Sequence, residues 1–167
     1  MLHAMFSPSL NHALWALVGV SLLHIVEEYS LGFLLWFRQA MPRLVPAMTP
    51  RWALVINVLF VGWLIVVAAW MALPVWTRLS GAAIVLVNAL LHVVFTVRLC
   101  RYSPGLVTAM LLYVPIGVIC YRAAIQVNAI RPADILLSVA LGLLLHASTI
   151  VSLRLRVARM DGQIKRA

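Results

Sequence analysis

Charge is what this sequence has least of. Asp, Glu, Lys and Arg make up 10% of its 167 residues, against 65% hydrophobic ones. A soluble domain carries ~25% charged and ~45–50% apolar residues. A chain of this size with so little polar surface could not cover its apolar residues in water. Acids are the scarcer sign: four Asp and Glu stand against 13 Lys and Arg, for a formal charge of +9. In a soluble protein that excess would suggest nucleic acid. Here the arginines sit between apolar runs, without the interleaved aromatics that stack single strands. No nucleic-acid partner is expected, and contact with membrane lipids is. Cysteine is nearly absent too. Cys100 and Cys120 have no paired spacing, so no disulfide framework is implied. Residues 1–11 hold no Lys or Arg, and the apolar run behind them is too long for the core of a signal peptide. It reads as a mature first membrane helix.

Long apolar runs are what the chain does have. A span needs ~20 mainly apolar residues. Five stretches qualify, at 12–37, 52–73, 81–99, 105–123 and 135–153. The expected fold is all-α, a polytopic membrane bundle of about five transmembrane helices in one domain over residues 1–167. Lys and Arg set the orientation. Arg38, Arg43, Arg51, Arg98, Arg101, Arg154, Arg156, Arg159, Lys165 and Arg166 fall on one side; only Arg78, Arg122 and Arg131 fall on the other. The N-terminus is therefore expected outside and the C-terminus inside, in a cell's inner (cytoplasmic) membrane. No internal repeat is visible, so an inverted-repeat transporter is not suggested.

The connectors carry their own signals. Pro42, Pro46 and Pro50 predict a stiff, extended first loop, acting as a spacer or as a lid over the cytoplasmic face. Ser103-Pro104 is a helix-start signal with Pro104 at the first position. Pro115 should kink the fourth span and free the carbonyl of Leu111.

Polar residues inside the spans are costly. Each ionisable one costs ~2.5–3.5 kcal/mol on insertion scales and marks a functional site by default. His24, Glu27 and Glu28 are spaced i, i+3 and i+4, which puts them on one helix face. Asn88, His92 and Thr96 form an i, i+4, i+8 stripe in the third span, and His146 with Thr149 marks the fifth. These three spans run in the same direction, so their histidines fall at similar depth. Asn57 adds a polar group from the second span, while His3 and His12 belong to the opposite side.

Histidine nitrogen with carboxylate oxygen is the ligand set of zinc and of non-haem iron. The expected ligands are His24, Glu28, His92 and His146, with Glu27 and Glu28 as candidate catalytic carboxylates and Asn57, Asn88 and Thr149 as supporting polar groups. A ferritin-like di-iron site needs about four carboxylates, and two are present. A zincin needs H-E-x-x-H, and the first span has one histidine. A mononuclear site with ligands from separate helices is left.

His24-Ile25-Val26-Glu27-Glu28 resembles the signature of the HXXEE-motif family of small bacterial membrane proteins. Asn88, His92, the Tyr102-Ser103-Pro104-Gly105 stretch and Thr108 resemble that family as well, from the first span to the fifth. The resemblance implies a multipass membrane protein, points to His24, Glu27 and Glu28 as functional positions, and supplies no substrate.

Three functions follow as expectations. The first is an intramembrane metal-dependent enzyme acting at mid-membrane on a lipid-soluble isoprenoid or acyl substrate. The second is a proton-coupled carrier using Glu27 and Glu28. The third is a non-catalytic accessory protein whose polar network locks the helices together.

Overall fold

The structure is a computed structural model in which residues 8–126, 128 and 130–164 are described. Helix α1 is Pro8–Ser30 and α2 is Phe33–Ala40. A short 3-10 turn, Pro42–Leu44, leads to α3, Pro50–Ala69. Then come α4, Val75–Leu99, α5, Leu106–Gln126, and α6, Pro132–Ile164. All of these but α2 are long and apolar enough to cross a membrane, which makes five candidate spans in an all-α bundle.

The first apolar run departs from expectation. It does not continue to Phe37 as one helix but breaks after Ser30. Gly32 takes φ +75, in the left-handed region that costs a side chain ~1–2 kcal/mol. Hydropathy continues through the break, so only the glycine signals it. The proline-rich connector is not extended throughout either. Pro42 stands at the first position of the 3-10 turn, and Thr49 caps α3 by accepting the Trp52 N–H at 3.2 Å, with Pro50 at the first helical position.

Pro115 distorts α5 by a π-turn over Ala109–Tyr113, just ahead of the residue that lacks an N–H. The proline itself is exposed on the outside of the bundle.

Helix α4 is the central element and packs against α3, α5 and α6, while α1 packs against α3 and α5. One apolar core joins Leu14 and Leu17 of α1, Leu64 and Val67 of α3, Val85 of α4 and Cys120 of α5. A second, smaller cluster gathers Phe37 and Ala47 with Leu153 of α6, flanked by Trp36, Met41, Met48 and Trp52. The two cores lie towards opposite ends of the bundle, and the polar residues of the first and third spans lie between them.

Candidate metal centre

The last two turns of α1 and the C-terminal half of α4 meet at three buried side chains, His24, Glu28 and His92. One ligand atom from each lies within 4.8 Å of the other two. Glu28 Oε1 is 3.6 Å from His24 Nε2 and 3.5 Å from His92 Nε2. Those separations are longer than a good hydrogen bond. They are close to the ~3.3 Å between two ligands on a tetrahedral ion with ~2.0 Å bonds.

The outer ring nitrogens are fixed by hydroxyls. His24 Nδ1 is 2.8 Å from Thr108 Oγ1, and His92 Nδ1 is 2.9 Å from Ser103 Oγ. The Thr108 hydroxyl donates to Gly105 O at 3.2 Å, so its lone pair takes the His24 Nδ1–H. Asn88 Nδ2 donates to His24 Nε2 at 3.0 Å, which keeps the lone pair on Nε2. Both imidazoles thus turn Nε2 inwards. Metal-binding histidines typically donate their other N–H in this way. The two rings meet edge to face at 5.0 Å between centroids, and the π-turn brings Tyr113 to 4.6 Å from His24.

Glu27 serves another element. Its carboxylate accepts the backbone N–H of Gly105 and Val107, each at 3.2 Å, and of Thr108 at 2.8 Å. It also accepts the Tyr102 hydroxyl. These are the unpaired amides at the N-terminus of α5, where a negative charge is favoured. The Ser103-Pro104 signal therefore sits early, because α5 begins at Leu106. Ser103 bonds His92, and Glu27 caps α5 from a different helix.

This cap seats the loop on the triad. A Cβ at Gly105 would lie 2.6 Å from His24 Cε1 and 2.8 Å from His92 Cε1, and the residue has φ +99. Thr96 Oγ1 adds a bond from the Ser103 N–H at 3.2 Å. The sequence marks Tyr102, Ser103 and Gly105 through the family-like Tyr102-Ser103-Pro104-Gly105 stretch and the Ser103-Pro104 helix start, and assigns none of them a role in the site.

A cavity of about 730 Å³ opens on the triad's other side. Its walls are mainly aromatic and aliphatic, from α2, α3, α4 and α6, and include Trp36, Trp52, Trp63 and Phe95. Asn57, Asn88, His146 and Thr149 all line it. His146 faces the cavity from α6 but stands outside the His24–Glu28–His92 cluster. Of the four expected ligands, His24, Glu28 and His92 form the cluster, and His146 lines the cavity wall. Glu27 does not line the cavity. His12 is exposed near the far end of α1, while His3, Lys165 and Arg166 lie outside the described residues.

The two histidines share a depth along their helices. His24 lies five residues past the middle of α1 and His92 five past the middle of α4, ~7–8 Å along each axis.

Residues 15–120 match the family described as proteins of unknown function with an HXXEE motif. The chain belongs to that family. The matched region holds His24, Glu27, Glu28, His92 and the capping loop, and His146 and Thr149 lie beyond it. No curated protein and no solved structure matches the chain.

Proposed function

We propose that the protein is an intramembrane metal-dependent enzyme whose substrate is lipid-soluble, an isoprenoid or acyl compound. The single observation that carries this is the convergence of His24 Nε2, His92 Nε2 and Glu28 Oε1 at the wall of a large apolar cavity. Two histidines and one carboxylate are shared by catalytic zinc sites and by the facial triad of non-haem iron. A divalent ion bound there would supply Lewis acidity.

The chain's own residues do the rest. Thr108 and Ser103 orient the two imidazoles. Glu28 supplies the only carboxylate in the cluster among the described residues, and with it the charge that a divalent ion needs. The apolar walls exclude water and hold a hydrocarbon body. His146, on the α6 wall of the cavity, moves a proton at the substrate. Glu27 is a positioning residue that holds Gly105 and Thr108 against the triad. With the N-terminus outside, the site faces the cytoplasmic leaflet of the inner membrane, and the arginine-rich ends lie in the cytoplasm.

Elemental analysis of detergent-purified protein tests the reading. About one equivalent of zinc or iron is expected in the wild type. It should be lost in His24→Ala, His92→Ala and Glu28→Gln and retained in His146→Ala. Wild-type protein that neither carries nor takes up a divalent metal would overturn it.

A further inference from the structure

The cavity is longer than the metal centre needs, and its polarity is uneven. It touches α3 from Trp52 to Trp63 and α4 from Ile84 to Phe95. Each stretch covers eleven residue steps, so the cavity runs ~16 Å along the helix axes. The triad lies off-centre in that length. His92 is three residues from Phe95, ~4–5 Å, and eight from Ile84, ~12 Å. The short arm ends at α2 and at Met41 and Met48 of the connector. The long arm ends among Trp63, Ile84 and Leu145, at the main apolar core.

The two ends also differ in charge. Around the short arm, Arg38, Arg43, Arg51, Arg98 and Arg101 are exposed. The acids near that end are already engaged: Glu27 caps α5 and Glu28 belongs to the triad. This rim is therefore net positive. Arg101 reaches Gln39, and Arg156 lies 4.3 Å over the Trp52 ring, so cations border the aromatic mouth. No Lys or Arg lines the cavity in either arm; the arginines stand outside the lining at the short arm, and none adjoins Trp63, Ile84 or Leu145 in sequence at the deep end.

We propose that the cavity holds one single-chain anionic amphiphile, an acyl or prenyl chain with a carboxylate or phosphate head. The head lies at the arginine-rich α2 end, and the tail runs past the triad to Trp63 and Ile84. This places His24, Glu28 and His92 against the first part of the chain beyond the head. It rests on the reading above that the cavity takes a lipid-soluble substrate. A molecule lying so has the orientation of a lipid in a leaflet, head at the interface and tail towards the bilayer centre. It can enter without inverting.

Tryptophan fluorescence measures this directly, because bromine quenches indoles at short range. The purified full-length protein in detergent is titrated with long-chain fatty acids brominated next to the carboxylate or at the chain end. Saturable quenching is expected from both. In Trp63→Phe the saturable part from the chain-end bromine should disappear, while that from the head-proximal bromine persists. In a Trp36→Phe, Trp52→Phe double variant, which removes both indoles lining the short arm, the pattern should reverse. Ile84→Trp fills the deep arm, so it should weaken binding of the long-chain probe by about tenfold, spare a short-chain probe, and leave metal content unchanged.

Absence of saturable quenching overturns the proposal, and so does equal quenching at both bromine positions in every variant. Metal content is read separately. Saturable, position-dependent quenching in a protein without metal would sink the metal-centre reading and leave this one standing. A metal-loaded protein that binds neither probe would do the opposite.

Discussion

Glu27 Oε2 accepts the backbone N–H of Thr108 at 2.8 Å, and the Thr108 hydroxyl lies 2.8 Å from His24 Nδ1. The two neighbouring glutamates of the motif thus reach the same histidine by different routes. Glu28 faces His24 Nε2 across the triad. Glu27 fixes the start of α5, whose threonine holds the opposite side of the same ring. One turn of α1 therefore sets both the inner and the outer contacts of its own histidine.

Substituting Glu27 should uncap α5. Glu27→Ala leaves three amides and the Tyr102 hydroxyl without their acceptor. Hydrogen bonds to a charged group contribute about 1.5–3 kcal/mol each when partly sheltered, so a loss of about 2–3 kcal/mol is expected after water replaces some of them. Glu27→Gln keeps one oxygen and should lose about half as much. Thermal unfolding in detergent measures both, beside metal affinity. If Glu27 were instead a catalytic base, Glu27→Gln would abolish turnover at wild-type stability and metal affinity.

Gly105→Ala should break the site without breaking the bundle. The new methyl would overlap two imidazole rings whose Nδ1 atoms are tied to Thr108 and Ser103 of the same segment, so neither ring can step aside without breaking a bond. The left-handed φ adds about 1–2 kcal/mol of strain. Gly32→Ala is the matched control: it has a similar φ, but its nearest neighbour would be Leu35 Cδ1 at 3.9 Å. The control should lose only the strain. Gly105→Ala should retain helicity and lose metal by at least about tenfold. Wild-type metal affinity in Gly105→Ala would refute this account of the loop.

Hydropathy and helix periodicity disclosed the five candidate spans, because a bilayer imposes a minimum apolar length. They also disclosed the pairing of His24 with His92, because two spans with the same predicted direction bring equal depths together. Three things stayed hidden, each for a physical reason. Glu27 bonds backbone amides, and amides carry no residue signature. The break at Gly32 falls inside a stretch apolar enough overall to read as one span, so hydropathy passes over it. His146 lines the same cavity from α6, and the distance of its side chain from the cluster depends on how that helix packs against α4, which a sequence pattern does not fix to within a ligand distance.

Tyr102 lies between α4 and α5, outside the spans, and gives a pH signature. Burial and the Glu27 carboxylate that accepts its proton push the phenol up to about 12 from an ordinary 10.0. The folded state therefore holds this proton more tightly than the unfolded chain does. Its contribution to stability is complete below about pH 10 and is lost as pH rises through about 12. Phenolate absorbance should show one group titrating near 12 that disappears in Tyr102→Phe. The melting temperature of the wild type should fall more steeply across that window than that of the variant. Parallel declines would mean that Tyr102 is not held by Glu27.

Ser103→Ala and Thr108→Val separate ligand orientation from ligand identity. Neither residue contributes an atom to the triad, yet each hydroxyl is hydrogen-bonded to one Nδ1. Removing such a partner typically costs 10–100-fold in metal affinity, because the ring is free to rotate and its inner nitrogen becomes less basic. Both variants keep His24, Glu28 and His92, so both should still load metal at saturating concentration, with affinity reduced by about that factor. The double variant should fall further still, since the two hydroxyls steady different rings. Thr108→Ser keeps the hydroxyl and should recover most of the loss, whereas an effect through the volume of the threonine methyl would leave Thr108→Ser as weak as Thr108→Val. Competition with a metallochromic chelator reads all four affinities in one titration series.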